Sequence, residues 1–270
     1  MIGSTCNTSQ NLPELLNQII ILAQKAGEKT LEYYYQDYKV DYKSDNSPLT
    51  LADLAANAII VAGLEDIAPD IPIISEESGI ASYTKRKNWQ KFWLVDPLDG
   101  TKEFIKKNGE FTINIALIEN KQPILGVIYF PVKKWLYFAS LQTGSRKRIG
   151  NDDILLQSRK VKLNEPLRVA ESRSHPSEEL ELFLSKLNVR KRVQVGSSLK
   201  FCYVAEGKVD IYPRLSPTME WDVAAGDAIF RFSGKDRILE TGLTYNKPDL
   251  RNEGFVIINT EDDLDRFISK

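Results

Sequence analysis

The stretch WLVDPLDGTKEF, residues 93–104, runs an apolar, strand-like approach directly into two aspartates, Asp96 and Asp99, separated by Pro97 and Leu98. Proline has no N–H to give to a ladder, so Pro97 forces the chain out of a sheet here. Both carboxylates can then turn toward one point, and the Leu98 carbonyl is left free to join them. A capped turn is the plain alternative, because Asp-Gly is common in turns and Asp99 could cap a helix beginning at Thr101. An EF-hand fails on spacing: with its glycine on Gly100, Val95 falls at loop position 1, Pro97 at 3 and Lys106 at 12.

Upstream, apolar residues at helical spacing (Leu15, Leu16, Ile19, Ile20, Ala23, Ala26) predict a helix over 12–35, with Pro13 in its first turn. A second helix is expected from about Thr50 to Gly63. The runs IPIISEE (71–77) and KFWLVDPL (91–98) read as short buried strands ending in acids, and the basic KRK at 85–87 between them reads as a solvated loop. Downstream, FTINIALI, PILGVIYF and KKWLYFAS, separated by turn-forming ENKQ and PVKK, predict antiparallel strands over 112–140. The polar stretch 145–166 contains LLQSRKVKLN, read as a further edge strand closed by Pro166. Beyond it, strand and helix alternate to a last helix at the C-terminus. The fold class expected is α/β: an α+β N-terminal lobe over 1–150 and an α/β C-terminal lobe over 151–270, forming one catalytic unit.

The 270 residues suffice for a sizeable core, and 36 Lys plus Arg against 37 Asp plus Glu leave no basic field for nucleic acid. Cys6 and Cys202 make neither a disulfide framework nor a zinc spacing, which points to a reducing compartment. The run IIILA at 19–23 is far short of a membrane span, and no basic segment precedes it. A cytoplasmic protein without a transmembrane segment is expected.

Other acids share the setting of Asp96 and Asp99. Glu76 and Glu77 end a buried strand, Asp222 starts the helix DVAAGDAIF, and Asp53 follows Thr50 at capping-box spacing. Two like charges about 4 Å apart repel by roughly 4 kcal/mol at an effective dielectric of 20, so a converging cluster requires protons or cations. Hard oxygen ligands select magnesium, manganese or calcium. A Gly-Thr helix start beside them offers N–H groups to an anion, the chemistry of a phosphate held over metal ions.

SPLTLAD (47–53), SEES (75–78), DPLDGTKEFI (96–105) and EWDVAAGDA (220–228), in this order, resemble the lithium-sensitive, magnesium-dependent phosphatase superfamily that includes inositol monophosphatase. Within it, DGTKEFIKKNGEFTINIALI, SRSH (172–175), GSSLKFCYVAEG and YPR are most similar to the bacterial 3′(2′),5′-bisphosphate nucleotidases. The resemblance implies a layered α/β/α/β/α sugar-phosphatase fold with its metal site in a cleft. It implies Glu76, Asp96, the Leu98 carbonyl, Asp99 and Asp222 as magnesium ligands. Thr101 with Asp53 would activate the attacking water, Glu76 would share in catalysis, and the Gly100 and Thr101 amides would hold the scissile phosphate. About two or three magnesium ions are implied, with manganese able to substitute and calcium or lithium inhibitory.

On the substrate side, the resemblance places His175, Ser197, Lys200 and Asp222 at the nucleotide and Arg214 near its second phosphate. Arg173 is a further cationic candidate. Each has a structural alternative: a solvated cap for His175, a surface lysine for Lys200, a carboxylate pair for Arg214. Phe201, Tyr203 and Tyr212 could stack a base, yet their spacing suits a core equally. The activity implied is hydrolysis of the 3′-phosphate of adenosine 3′,5′-bisphosphate to AMP in sulfur assimilation and nucleotide by-product clearance. An inositol or sugar phosphatase and a non-catalytic metal and nucleotide sensor stand as alternatives. A small-molecule nucleotide is the expected partner, with a monomer or homodimer as the assembly. Peripheral association with the inner membrane is suggested by resemblance alone.

Overall fold

A computed structural model describes residues 11–36, 40–42, 48–162, 164–173, 177–235 and 237–262. The chain begins with α1 (Leu12–Tyr34), a small antiparallel pair β1 (Val40–Tyr42) and β2 (Pro48–Thr50), and α2 (Leu51–Ile67). Then come β3 (Ile73–Ser75), α3 (Tyr83–Arg86), β4 (Lys91–Asp99) and α4 (Thr101–Ile105). A meander follows: β5 (Thr112–Glu119), β6 (Gln122–Phe130), β7 (Trp135–Ser140), β8 (Gly144–Ile149) and β9 (Asp152–Leu155). The remainder is β10 (Leu167–Ser172), α5 (Glu178–Ser185), β11 (Val189–Val195), α6 (Leu199–Ala205) and β12 (Ile211–Arg214). It ends with β13 (Thr218–Met219), α7 (Glu220–Arg231), β14 (Arg251–Asn252) and β15 (Phe255–Ile258).

Strands β3 to β9 form a seven-stranded sheet in sequence order, with only β3–β4 parallel. A four-stranded sheet has the order β11-β10-β12-β15. Because strand side chains alternate, β4 sends Trp93 and Val95 to one face and Phe92 and Leu94 to the other. The first face is covered by α1 and α2 through Leu15, Ile19, Ile20, Ala56, Ile60 and Leu64. The second packs on α6 and α7, whose Phe201, Val204, Trp221 and Phe230 share one core with Tyr212 and Ile257 of the four-stranded sheet. Helix α5 closes the far side with Leu180, Phe183 and Leu184 against Val169, Ile211 and Ile258. The layers therefore read α/β/α/β/α, as the sequence resemblance implies. No helix among the described residues is long and apolar enough to cross a membrane.

Three local expectations need correction. Helix α2 continues past Gly63 to Ile67, because that glycine is a packing surface for α1: a Cβ there would lie 2.4 Å from Leu22 Cδ1. The KRK run is solvated at Lys85 and Lys87 but not at Arg86, and it closes a helix rather than forming a loop. Arg86 ends α3 buried, and its guanidinium bonds Asn246 Oδ1 and the carbonyls of Lys247 and Pro248. The edge strand lies earlier than LLQSRKVKLN, in β9, and the residues after it contribute only the isolated bridge of Val161 to Thr260. The expected C-terminal helix, Cys6 and His175 fall outside the described residues.

Candidate metal and phosphate site

The site is assembled from the ends of three elements. Strands β3 and β4 run parallel with Ser75 opposite Val95, and the Glu76 N–H bonds the Val95 carbonyl at 3.1 Å. Glu76 thus leaves its strand beside Asp96. The β4–β5 register shifts between Asp96, opposite Asn114, and Asp99, opposite Thr112, which is where Pro97 withholds its donor. The Leu98 N–H turns back to Asp96 Oδ1 at 3.1 Å. From the helical layer, Asp222 arrives in the first turn of α7, with its Oδ2 accepting the Met219 N–H at 2.8 Å. Carboxylate oxygens of Glu76, Asp96 and Asp222 come within 4.8 Å of one another. Asp99 and the Leu98 residue line the same cleft, a cavity of about 290 Å³.

Burial pushes Asp96 well above the usual carboxylate range, and the charges of Glu76, Asp99 and Asp222 add to it. Burial, then Asp99 and Glu76, pushes Asp222 up to about 8 against the opposing Met219 amide and Arg214. Asp99 is pushed up to about 6 by burial, with the Lys200 charge opposing. Two carboxylates 4.8 Å apart repel by roughly 3–4 kcal/mol at an effective dielectric of 20. A trio of this kind stays ionised only with a cation among its oxygens, and an all-oxygen donor set suits a hard divalent ion. The residues present therefore fit a magnesium-type centre.

This electrostatics predicts a pH dependence for the metal-free protein. Asp53, Asp99 and Asp222 have folded values of about 6, about 6 and about 8, above the ordinary 3.8. Between the ordinary and the raised values the native state binds more protons than the unfolded one, so stability falls as pH rises through that window. In chelator, the melting temperature is expected to drop from about pH 4 to about pH 8, and magnesium should restore it on the alkaline side. A flat profile in chelator would mean that these acids are not buried together.

Asp53 meets both Thr50 and Thr101. Its Oδ2 accepts from the Thr50 N–H at 2.8 Å and the Thr50 hydroxyl at 2.5 Å, closing the N-terminus of α2. Its Oδ1 lies 3.5 Å from the Thr101 hydroxyl, which is also 3.5 Å from the Leu98 carbonyl. Burial raises Asp53 to about 6, although the Thr50 bonds oppose this. Gly100 carries φ +92°, and a Cβ there would meet the Glu110 carbonyl at 2.9 Å. Only glycine turns the chain from β4 into α4 at this place.

Across the cleft stand Ser197, Lys200 and Arg214. Ser197 holds φ +49°, and its buried Oγ meets no hydrogen-bond partner among the described residues. Lys200 is not a surface lysine: it is 6% exposed, and its ammonium bonds the Ser197 carbonyl and, at 3.5 Å, that of Val195. Burial lowers it to about 8, with Asp99 opposing. Among the described residues no carboxylate pairs with Arg214; its Nε bonds the Ser216 carbonyl at 3.2 Å. Arg173, by contrast, is held by both oxygens of Glu110 at 2.8 and 3.0 Å and by the Gln194 carbonyl, so it serves a structural pair. Phe201 and Tyr212 are core residues that meet edge to face at 5.4 Å, and the same two line the cleft wall. Glu103, Ser172, Ser198 and Thr218 also line it and were not singled out from sequence. The pairing of Ser198 with Ser197 and of Glu103 with the DGT turn were the available signals.

The model of the inositol monophosphatase family matches residues 11–261. The Salmonella typhimurium protein named 3′(2′),5′-bisphosphate nucleotidase CysQ is 46% identical over 217 residues, 80% of this chain and 86% of that one. The Haemophilus influenzae protein of the same name is 35% identical over 92% of this chain and 93% of its own. The crystal structure of CysQ from Bacteroides thetaiotaomicron, described as a bacterial member of the inositol monophosphatase family, superposes with a TM-score of 0.77 at 42% identity, covering 93% and 99% of the two chains. With the layer order, the acid trio and a family match over nearly its whole length, the chain belongs to the inositol monophosphatase family.

Proposed function

We propose that the chain is a magnesium-dependent 3′(2′),5′-bisphosphate nucleotidase that removes the 3′-phosphate of adenosine 3′,5′-bisphosphate, leaving AMP and phosphate. The observation carrying this is that a single cleft is lined by Glu76, Asp96 and Asp222 and also by cationic side chains, the exposed Lys102, the buried Lys200 and the half-buried Arg214. A metal centre alone suits any phosphate monoester. A second cationic patch suits a substrate with a second phosphate. The names of the relatives at 46% and 35% identity support the same substrate class.

Glu76, Asp96, Asp99, Asp222 and the Leu98 carbonyl would hold the metal, which when bound supplies Lewis-acid activation of water and neutralises charge on the phosphate. Monoester hydrolysis needs accelerations up to ~10²¹-fold, and one general base supplies about 10²- to 10⁴-fold, so positioning and charge carry most of the load. The Thr101 hydroxyl can accept a proton from water while donating its own to Asp53 Oδ1. The Thr50 bonds to Oδ2 hold that carboxylate in place meanwhile. The Gly100 and Thr101 amides face the scissile phosphate, and water attacks directly with no covalent phosphoenzyme. Ser197, Lys200 and Arg214 hold the rest of the nucleotide, with His175 as a further contact from outside the described residues. Residues 1–150 bring most of the acids and 151–270 the substrate contacts, acting as one catalytic unit. The enzyme would work as a monomer or homodimer in the cytoplasm, within sulfur assimilation and nucleotide by-product clearance.

Phosphate release from adenosine 3′,5′-bisphosphate and from inositol 1-phosphate, each with magnesium and with chelator, tests the assignment. Chelator-sensitive release strongly favouring the nucleotide is expected. Preference for inositol phosphate would remove the roles given to Lys200 and Arg214, and metal-dependent nucleotide binding without turnover would make the protein a sensor.

A further inference from the structure

Asp222 reaches the trio from a different layer than Glu76 and Asp96, so its distance from them depends on how α7 is anchored to the sheet. The body of α7 lies directly on the sheet, so close that a Cβ on Gly126 of β6 would meet the Ala225 carbonyl at 2.7 Å, and one buried strap ties down its N-terminal end, where Asp222 stands. Residues 244–250 run past the N-terminus of α7 and are gripped from both sides. On the helix side Glu220, 0% exposed, accepts the Asn246 N–H at 2.7 Å and the Lys247 N–H at 2.9 Å, and its own N–H bonds the Leu250 carbonyl at 2.8 Å. The Lys247 ammonium sits 2.9 Å from the same carboxylate. On the sheet side Arg86, 2% exposed, donates to Asn246 Oδ1 and to the Lys247 and Pro248 carbonyls at 2.6–2.8 Å, while the Asn246 side-chain amide donates to the Arg86 carbonyl.

The two ends of this grip are the two sources of acids. Arg86 lies in the connection between β3, which delivers Glu76, and β4, which delivers Asp96. Glu220 stands two residues before Asp222 in the same helical turn. The strap also continues into β14, which pairs with β13 so that Met219 lies opposite Arg251, and the Met219 N–H is the donor to Asp222 Oδ2. Within the strap Asn246 and Leu250 hold φ +69° and +56°, conformations that persist only where the surroundings fix them. We propose that Arg86 and Glu220 are positioning residues: through the 246–250 strap they set where Asp222 stands relative to Glu76 and Asp96, and hence how tightly the trio holds a divalent cation. The proposal rests on the metal assignment made for that trio. Groups that orient metal-binding side chains typically change metal affinity about 10- to 100-fold when removed.

Manganese titration of the whole protein, read by the free-ion electron paramagnetic resonance signal, separates this from a merely structural role. Glu220→Gln is expected to weaken manganese binding about tenfold, with the nucleotide KM at saturating metal unchanged. Asp210→Asn serves as the control. Asp210 is equally buried and is paired with Arg168 at 2.7 and 2.9 Å, at the end of β12 opposite Arg214. It should lower the melting temperature comparably and leave manganese affinity within about twofold of wild type. Arg86→Lys keeps the charge but not the three-way fork, and should weaken binding in the same direction. It decides the matter alone if Glu220→Gln does not fold. Equal losses in the control, or manganese affinity unchanged in Glu220→Gln and Arg86→Lys, would overturn the proposal while leaving the metal site. Wild-type protein that binds no manganese would overturn the metal assignment itself, and the proposal with it.

Discussion

Replacing Asp96 with asparagine is expected to lower kcat/KM for the bisphosphate nucleotide by about 10³-fold or more while leaving the metal-free protein at least as stable as wild type. A Lewis acid supplies several kcal/mol of charge stabilisation, and about 4 kcal/mol corresponds to a factor of roughly 10³. The stability half follows from the same carboxylate. Asp96 is buried and faces the charges of Glu76, Asp99 and Asp222, all of which disfavour its ionised form. Asparagine keeps an oxygen for the Leu98 N–H, which bonds Asp96 Oδ1 at 3.1 Å, and removes the repulsion. A functional residue whose loss stabilises the fold marks a site built for a cation. Steady-state kinetics and melting in chelator check both halves. An active variant would contradict the metal role of Asp96, and an inactive variant that melts well below wild type would trace the loss to folding instead.

How much of this was legible in the sequence depends on how far apart the cooperating residues lie. The strand ending at Asp96 and Asp99 could be read because its cause is local: an apolar run, then a proline that cannot continue the ladder. The two contacts of Asp53 are legible only halfway. Thr50 sits three residues away and signals a cap, whereas Thr101 is 48 positions distant and enters only when β4 and α2 pack together. Arg86 was misread for the same reason. A KRK run has every local mark of a solvated loop, and the carbonyls that satisfy its guanidinium lie 160 to 162 positions downstream. Gly63 looked like a helix end because glycine weakens helices by about 1 kcal/mol, yet packing against Leu22 uses the missing Cβ and outweighs that cost. In β8 and β9 the charged residues hid the strands, since an edge hairpin with one wet face has little apolar alternation to display. The acid trio itself was recovered from motif order and resemblance rather than from periodicity.

Replacing Arg214 with alanine is expected to raise KM for adenosine 3′,5′-bisphosphate by about 10²-fold and to leave inositol 1-phosphate within about twofold of wild type, because a charge-assisted hydrogen-bond pair contributes about 3 kcal/mol and each 1.4 kcal/mol is a factor of ten. Arg214 is the better probe of the second phosphate than Lys200. The Lys200 ammonium bonds the carbonyls of Ser197 and Val195, so its removal also frees the turn in which Ser197 holds φ +49°. A Lys200 variant would thus lose substrate contact and loop geometry together. Among the described residues Arg214 bonds only the adjacent Ser216 and Pro217 carbonyls, at 3.2 and 3.5 Å, and it is half-buried at the cleft wall. Arg214→Lys should recover part of the loss, since a lysine keeps the charge but not the planar fork that meets two phosphate oxygens. Measured side by side at saturating magnesium, a KM effect confined to the nucleotide would assign Arg214 to the phosphate that is not cleaved. An equal loss on both substrates would place its influence on Asp222 instead, whose ionisation Arg214 favours through its charge.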